Sequence, residues 1–137
     1  MNDELYQQTI VDLARAAHGA GRLESAKRRA TVDNPLCGDR VTVEIILAND
    51  RVVNLRHATK GCLLCKAAAS ILGLRAPGAE SAALMANAAA VDAVLSGRPL
   101  LKNAWPEIAA FQPVAPHKSR HDCVKLPFQA VRDALKE

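Results

Sequence analysis

One short segment of this 137-residue chain places a thiol next to a carboxylate. Residues 34–41 are Asn-Pro-Leu-Cys-Gly-Asp-Arg-Val, so that only Gly38 separates Cys37 from Asp39. A glycine allows the chain to turn tightly, and both side chains can then point toward one spot. Thiolates and carboxylates both bind Zn²⁺, which prefers four donors in a tetrahedral arrangement. The segment therefore predicts half of a metal site.

The other three cysteines lie where predicted elements begin. Cys62 follows Gly61 at a strand-to-helix junction, Cys65 lies one turn further along that helix, and Cys123 is at the head of the last helix. Helix N-termini favour negative charge, and hence the thiolate form of a cysteine. Cys62 and Cys123 would complete, with the first pair, a site of three thiolates and one carboxylate. Four cations adjacent to these positions would offset its negative charge: Arg40, Lys60, Lys66 and Arg120.

Other uses of the cysteines stay open at this point. Taken singly, each is more often a small buried hydrophobe than a ligand. Cys65 is a buried residue on the helix face, a substitute ligand or a resolving thiol. Cys62 and Cys65 have the spacing of a thioredoxin-like redox pair, but the surrounding pattern is not βαβ. The sequence contains one Cys-x-x-Cys pair and not the two of a zinc ribbon, which argues against that kind of domain. His117 and His121 lie near Cys123 in the chain, but loop histidines of this kind usually face solvent.

The elements that must position these side chains predict an α+β protein. An N-terminal helix is expected within residues 1–18, a sheet over 41–59 and a mainly helical part over 62–137. Residues 19–36 contain glycines, a basic cluster and Asn-Pro, and predict an extended connector. The proline-containing segment 112–118 predicts a loop before the last helix. The whole chain is expected to form one domain.

The predicted sheet has a clear hairpin signal. Asn49 and Asp50 separate two β-rich segments, which is typical of a two-residue turn. In the second segment, strict alternation would place Val53, Leu55 and His57 on one face.

Composition excludes several classes of function. A net charge of +4 is mild, and aromatic residues make up only 3% of the chain, which argues against a base-stacking nucleic-acid platform. The densest basic run, Lys27-Arg28-Arg29, predicts a solvated face. Membrane-spanning apolar runs are absent, and the acidic start Met1–Glu4 lacks a signal-peptide core. These features predict a cytoplasmic protein with neither nucleic acid nor membrane as partner, in which disulfides are rare and cysteines serve metals or thiol chemistry.

Three segments now carry a family resemblance. NPLCGDRV, KGCLLCKAAAS and RHDCVKL resemble the three signature segments of NifU-like, IscU-fold iron–sulfur cluster assembly proteins, and more closely those of the SufU-type branch. The resemblance covers about residues 3–136. It implies an IscU-like (NifU N-terminal-like) fold, in which a small antiparallel sheet packs against helices.

The resemblance also implies a site and a role. Cys37 and Asp39 match the first metal-binding segment, Cys62 the second and Cys123 the third, with Zn²⁺ as the cofactor. The implied activity is zinc-dependent acceptance of persulfide sulfur, on Cys37, from a SufS-type cysteine desulfurase. The sulfur would then pass to iron–sulfur assembly scaffold proteins. The alternatives are an IscU-like scaffold that carries a transient Fe–S cluster, and a structural zinc-binding domain.

The residues around the last cysteine favour the SufU-type branch. Scaffold-type members carry a histidine directly before that cysteine, whereas this chain has Asp122 there and His121 one position further back. Arg120 stands where SufU-type proteins have the arginine of an Arg-x-x-Cys motif. The 61 positions between Cys62 and Cys123 resemble the insertion of that branch.

Three residues depart from the family pattern. Cys65 is an additional thiol, and Lys60 replaces an acidic or polar residue. Pro127 stands in the last helix, where it is expected to kink the helix or to restart it.

Overall fold

The computed structural model describes residues 7–36 and 38–136. Four α-helices and three strands follow one another as α1 (Gln8–Ala16), β1 (Arg28–Asn34), β2 (Asp39–Ala48), β3 (Arg51–Lys60), α2 (Leu63–Arg75), α3 (Ser81–Leu95) and α4 (His121–Leu135). Two 3₁₀ helices, Pro106–Val114 and Lys118–Arg120, lie between α3 and α4. The α+β class is confirmed.

The three strands form an antiparallel sheet in the order β1-β2-β3. In the central strand Val41, Val43 and Ile45 alternate toward the core and are fully buried. Asn49 and Asp50 connect β2 to β3 with φ angles of 54° and 64°. Positive φ at both residues suits the tight turns that match the twist of a hairpin. The predicted turn is confirmed.

A β-bulge changes the face on which one residue of β3 lies. The pairing register with β2 shifts between Ile46 and Leu47. As a result Val53 is 58% exposed, whereas Leu55 and His57 are buried as predicted. The prediction for Val53 was wrong because an extra residue in a strand moves part of it to the other face.

The segment predicted as a connector contains a strand. Residues 28–34 form β1 and pair along their whole length with β2. Only Ala30 and Val32 in this strand are apolar and pack against the core. The strand was missed because charged and polar residues obscure the alternation of apolar side chains that is typical of a strand. In the structure, burial alternates along β1.

The helices pack against the face of the sheet that carries Val41, Val43 and Ile45. α4 packs against β1, β2, α2 and α3, and α2 packs against α1, α4 and β3. α4 begins at His121 and continues through Pro127, so the expectation that the helix restarts at this proline was wrong. In the part of the chain that the structure describes, no helix is long and apolar enough to cross a membrane.

The region before α4 is more helical than predicted. The first 3₁₀ helix continues to Val114 and includes Pro113, where a loop was expected. α4 starts without a hydrogen bond from the side chain of its N-cap residue, Arg120.

Candidate metal centre

Three of the four predicted ligands meet at one end of the sheet. Asp39 is the first residue of β2, Cys62 is the N-cap residue of α2, and Cys123 lies in the first turn of α4. One oxygen of Asp39 and the two Sγ atoms all lie within 4.8 Å of one another. Residues separated by 23 and 61 positions in the sequence are thus brought together by three different elements.

The fourth predicted ligand, Cys37, lies outside the described residues, and its membership stays a prediction. The residues on either side are described. Leu36 donates its backbone N–H to Asn34 Oδ1 at 3.1 Å, and Gly38 donates its own to the Asn34 carbonyl at 2.8 Å. Gly38 has a φ of +74°, a conformation that glycine adopts without strain. Leu36 is 93% exposed, so this turn reaches solvent directly beside Asp39.

One oxygen of the buried Asp39 carboxylate has no hydrogen-bond partner among the described residues. The residue is only 5% exposed, and among the described residues nothing forms a hydrogen bond to its Oδ2 atom. A buried carboxylate without a donor or a cation is costly, and native proteins almost always satisfy it. A divalent cation held also by the two thiolates would satisfy it, and this donor set is one that zinc accepts. The residues present therefore fit a zinc ion.

Two helix N-termini add to the electrostatics of this group. Cys62 and Cys123 lie at the starts of helices of 13 and 15 residues. Neither helix has a side-chain hydrogen bond from its N-cap residue, so the first backbone N–H groups are not neutralised by a capping side chain. Aligned peptide dipoles at such ends favour anionic groups and anionic ligands.

The surrounding cations contribute unequally. Arg40 donates to Asp33 Oδ1 at 2.6 Å, and this hydrogen bond raises the pKa of Arg40. The Arg40 guanidinium is therefore engaged with Asp33 and not with the ligand group. Lys60 lines, together with Asp39, a cavity of about 490 Å³ beside the turn. Lys66 and Arg120 are exposed, and within the described ranges neither of them forms a salt bridge.

The other candidate side chains lie elsewhere. Cys65 is fully buried in the hydrophobic core and is not part of the three-residue group, in agreement with the interpretation as a buried residue of the helix face. His121 donates from Nε2 to the Ala115 carbonyl at 2.9 Å. His57 donates from Nε2 to the His18 carbonyl, and burial lowers the pKa of His57. Both histidines are engaged with backbone carbonyls.

Gly61 contacts the site in a way that its sequence context did not predict. Gly61 was assigned only to the junction between β3 and α2, but a Cβ atom at this position would lie 2.9 Å from Asp39 Cγ. It would also lie 3.1 Å from Cys65 Cβ. A glycine directly before a candidate ligand was the only signal in the sequence, and it is a weak one because glycine also marks ordinary junctions.

A known protein family matches most of the chain. The family model described as NifU-like N terminal domain matches residues 5–136. The chain is similar to iron–sulfur cluster assembly scaffold protein IscU 1 of Archaeoglobus fulgidus, with 30% identity over 107 residues that cover 77% of this chain and 70% of that protein. It is also similar to zinc-dependent sulfurtransferase SufU of Bacillus subtilis, with 25% identity over 134 residues that cover 97% of this chain and 90% of that protein.

Solved structures show the same fold. A nitrogen-fixing NifU-like protein (N-terminal) from Brucella abortus superposes with a TM-score of 0.93 at 30% identity, over 98% of this chain and 94% of that one. A putative iron–sulfur cluster assembly scaffold protein for the SUF system from Fervidobacterium islandicum gives a TM-score of 0.91 at 21% identity, over 98% and 99% of the two chains. At that identity the second likeness concerns the fold alone. With its family model matched over nearly its whole length and its three signature segments in place, the chain belongs to the NifU-like N-terminal domain family.

Proposed function

We propose that this chain is a zinc-binding sulfur-transfer protein of iron–sulfur cluster assembly, which accepts sulfur from a SufS-type cysteine desulfurase. The observation that carries the proposal is the group of Asp39, Cys62 and Cys123, whose ligand atoms lie within 4.8 Å of one another. Within the described part of the chain, the buried Oδ2 atom of Asp39 has no hydrogen-bond partner. Relatives named as iron–sulfur assembly scaffold proteins and as a zinc-dependent sulfurtransferase support the process and the metal.

In this proposal Cys37 is the fourth ligand. It belongs to the turn whose described residues fold back onto Asn34 immediately before Asp39. When bound, zinc would keep its thiol ligands deprotonated and would undergo no redox change. Lys60, beside the cavity that Asp39 lines, would reduce the negative charge of three thiolates and a carboxylate.

Cys37 is also the proposed sulfur acceptor. Its thiolate attacks the outer sulfur of the persulfide on the donor cysteine. A new S–S bond forms on Cys37 while the S–S bond of the donor breaks, and the donor cysteine leaves as a thiolate. The sulfur is passed on without an external oxidant or reductant. Exposure supports this choice, because Leu36 beside Cys37 is 93% exposed whereas Cys123 is 3% exposed.

A scaffold role is the second candidate. It is favoured by the name of the Archaeoglobus relative, since the same thiols would hold the iron of a cluster. The residues before Cys123 do not support it. Asp122 occupies the position of the histidine found in scaffold-type members and is exposed, and His121 is engaged with the Ala115 carbonyl.

The test combines metal analysis with sulfur transfer. Purified protein should contain one zinc per chain and should stimulate turnover of a SufS-type desulfurase on cysteine. Cys37→Ser should abolish the stimulation and leave the protein folded, whereas the matched control Cys65→Ser should retain it. Mass spectrometry after a single turnover should locate the added sulfur on Cys37.

Three results would contradict the proposal. Sulfur found consistently on Cys123, with Cys37→Ser still active, would assign the acceptor role to the wrong thiol. A stable cluster spectrum after anaerobic reconstitution with iron and sulfide, without desulfurase stimulation, would favour the scaffold. Bound zinc without either activity would identify a structural zinc domain.

A further inference from the structure

We propose that Gly61 is a positioning residue for the metal centre: the missing side chain leaves the space in which the Asp39 carboxylate stands beside the two thiols. The inference rests on the metal centre of the proposed function and on no part of the sulfur chemistry. It assigns to Gly61 a role in selecting the carboxylate as a ligand, beyond that of linking β3 to α2.

The contact distances carry the argument. A Cβ atom on Gly61 would lie 2.9 Å from Asp39 Cγ and 3.1 Å from Asp39 Oδ1. Real Cβ atoms essentially never approach a carbon within 3.0 Å, so one of the two residues would have to move. The Oδ1 atom therefore rests against the open side of Gly61, while the other oxygen, Oδ2, is the buried atom without a hydrogen-bond partner among the described residues.

Backbone conformation does not explain the glycine. Five other glycines of the chain have φ between +74° and +141° and are suited to their positions for that reason. Gly61 is not among them, so an alanine could adopt its backbone conformation without strain. What an alanine could not do is share the space with Asp39.

Cys65 borders the same space. Its Cβ atom would lie 3.1 Å from a Cβ on Gly61, and the residue is fully buried in α2. The Asp39 backbone is held as well, because Asp39 pairs with Asn34 in the ladder between β1 and β2. With a helix on one side and a paired strand on the other, rotation of the Asp39 side chain is the softest response. An added methyl group would thus displace the carboxylate from the thiols.

The experiment measures metal affinity separately from stability. Zn²⁺ affinity is determined by competition with a chromophoric chelator, and the ligand set is followed by the visible absorption of the Co²⁺ form. Residues that orient a ligand typically contribute 10–100-fold to metal affinity. We expect Gly61→Ala to weaken Zn²⁺ binding by about that factor. The Co²⁺ spectrum should also change, because the carboxylate no longer stands in place.

Two further variants separate positioning from a general loss of structure. In an Asp39→Ala background no carboxylate remains to be displaced, so adding Gly61→Ala should change the Zn²⁺ affinity by less than about twofold. The two substitutions should therefore be non-additive, as expected of residues in contact. Gly97 has a φ of +84° and no atoms near its missing Cβ. Gly97→Ala should therefore lower the melting temperature of the metal-free protein and leave Zn²⁺ affinity unchanged.

The outcomes distinguish this inference from the proposed function. If Gly61→Ala binds Zn²⁺ with wild-type affinity, or weakens it equally with and without Asp39, the positioning role is overturned and the metal centre is untouched. If the wild-type protein binds no Zn²⁺, or if Asp39→Ala does not weaken binding, the metal centre itself is wrong and both proposals fail.

Discussion

The central strand carries two buried carboxylates that the protein treats in opposite ways. Asp39 and Glu44 are 5% and 1% exposed and, being five positions apart, point to opposite faces of β2. Glu44 accepts hydrogen bonds from Arg22 Nε at 2.8 Å and from Arg29 Nε at 3.0 Å. It also accepts from the Leu23 backbone N–H at 3.0 Å, so that both oxygens are satisfied.

The titration of Glu44 reflects these partners. Burial alone would raise the pKa of Glu44, but the hydrogen bonds from Arg29, Arg22 and Leu23 outweigh it and lower the pKa to about 2. The carboxylate is thus a structural link that ties β1 and the segment before it to β2.

Glu44 and Asp39 differ in the hydrogen-bond partners that the chain supplies. For Glu44 the chain supplies every partner from nearby segments, whereas among the described residues nothing donates to Asp39 Oδ2. Arg40 and Lys60 lie close enough to line the same cavity, yet neither is salt-bridged to Asp39. A buried carboxylate oxygen without a donor in the described ranges, beside two thiols, is what a site for an external cation is expected to present.

The largest effect on Zn²⁺ affinity is predicted for removal of the charge of Asp39. Asp39→Asn keeps the shape of the side chain but removes its charge, so it should lower Zn²⁺ affinity at least about 100-fold, more than loss of an orienting residue does. The free energy of unfolding of the metal-free protein should not fall, because an unpartnered buried charge is removed. Chelator competition and urea denaturation measure the two quantities. Unchanged zinc affinity would show that Asp39 is not a ligand.

The matched substitution at Glu44 should have the reverse effect. Glu44→Gln retains hydrogen-bonding shape but loses the charge that faces two guanidinium groups, and should lower the free energy of unfolding by about 2 kcal/mol. Zn²⁺ affinity should stay within about twofold, since Glu44 lies five residues along β2 from Asp39 and on the opposite face of the strand. Denaturation of the metal-free variant by urea measures the loss. A loss of zinc affinity as large as that of Asp39→Asn would contradict the separation of the two regions.

The free energy of unfolding should depend on pH through Glu44. Because the pKa of Glu44 is lowered from 4.5 to about 2 in the folded protein, the unfolded chain takes up a proton first as pH falls. The stabilising contribution of Glu44 is complete above about pH 4.5 and is lost as pH falls toward 2. The difference in unfolding free energy between wild type and Glu44→Gln, both metal-free, should be constant above that window and shrink within it.

The groups that face Glu44 do not disturb this measurement. They are the guanidinium groups of Arg22, Arg29 and the cross-strand neighbour Arg56. His57 has its pKa lowered by burial, so it destabilises the fold as pH falls below 6.5 in both proteins alike. A difference curve that stays flat down to pH 2 would show that Glu44 is not stabilised as a carboxylate.

The smallest effect is predicted for the additional thiol. Cys65→Ser should leave zinc stoichiometry and most sulfur transfer intact, because Cys65 is fully buried and outside the ligand group. The hydroxyl group is more costly to bury than the thiol, so stability should fall by about 1 kcal/mol. Metal analysis and thermal denaturation provide the measurements. Loss of zinc would make Cys65 a ligand, and slower sulfur release alone would make it a resolving thiol.

Local signals predicted those parts of the fold that short segments decide. The Asn49-Asp50 turn, the start of α2 after Cys62 and the position of Cys123 in the first turn of α4 depend on residues within one turn of each other. Turn chemistry and hydrophobic period act over that range. The positions of Cys62 and Cys123 at helix starts therefore followed from the sequence. Asp39 was expected in the turn before a strand that begins at residue 41, but it is the first residue of β2.

Features that depend on a distant neighbour were missed. β1 is a strand because β2 pairs with it, and the bulge that exposes Val53 arises from the register of the hairpin. α4 continues through Pro127, a buried residue, because packing against the sheet and α2 outweighs the lost backbone hydrogen bond. Each of these outcomes reflects tertiary contacts that override a local preference.

By itself, the sequence determined the donor types, their order along the chain and the elements that begin at them, since these depend on residue chemistry and short-range periodicity. Only the tertiary structure decided that Asp39, Cys62 and Cys123 converge, that Arg40 is engaged with Asp33, and that Cys65 stays in the core. It also decided that the space beside Asp39 depends on Gly61. The physical reason is that strand register and helix packing set the distances between segments far apart in the chain, and local sequence carries no record of those distances.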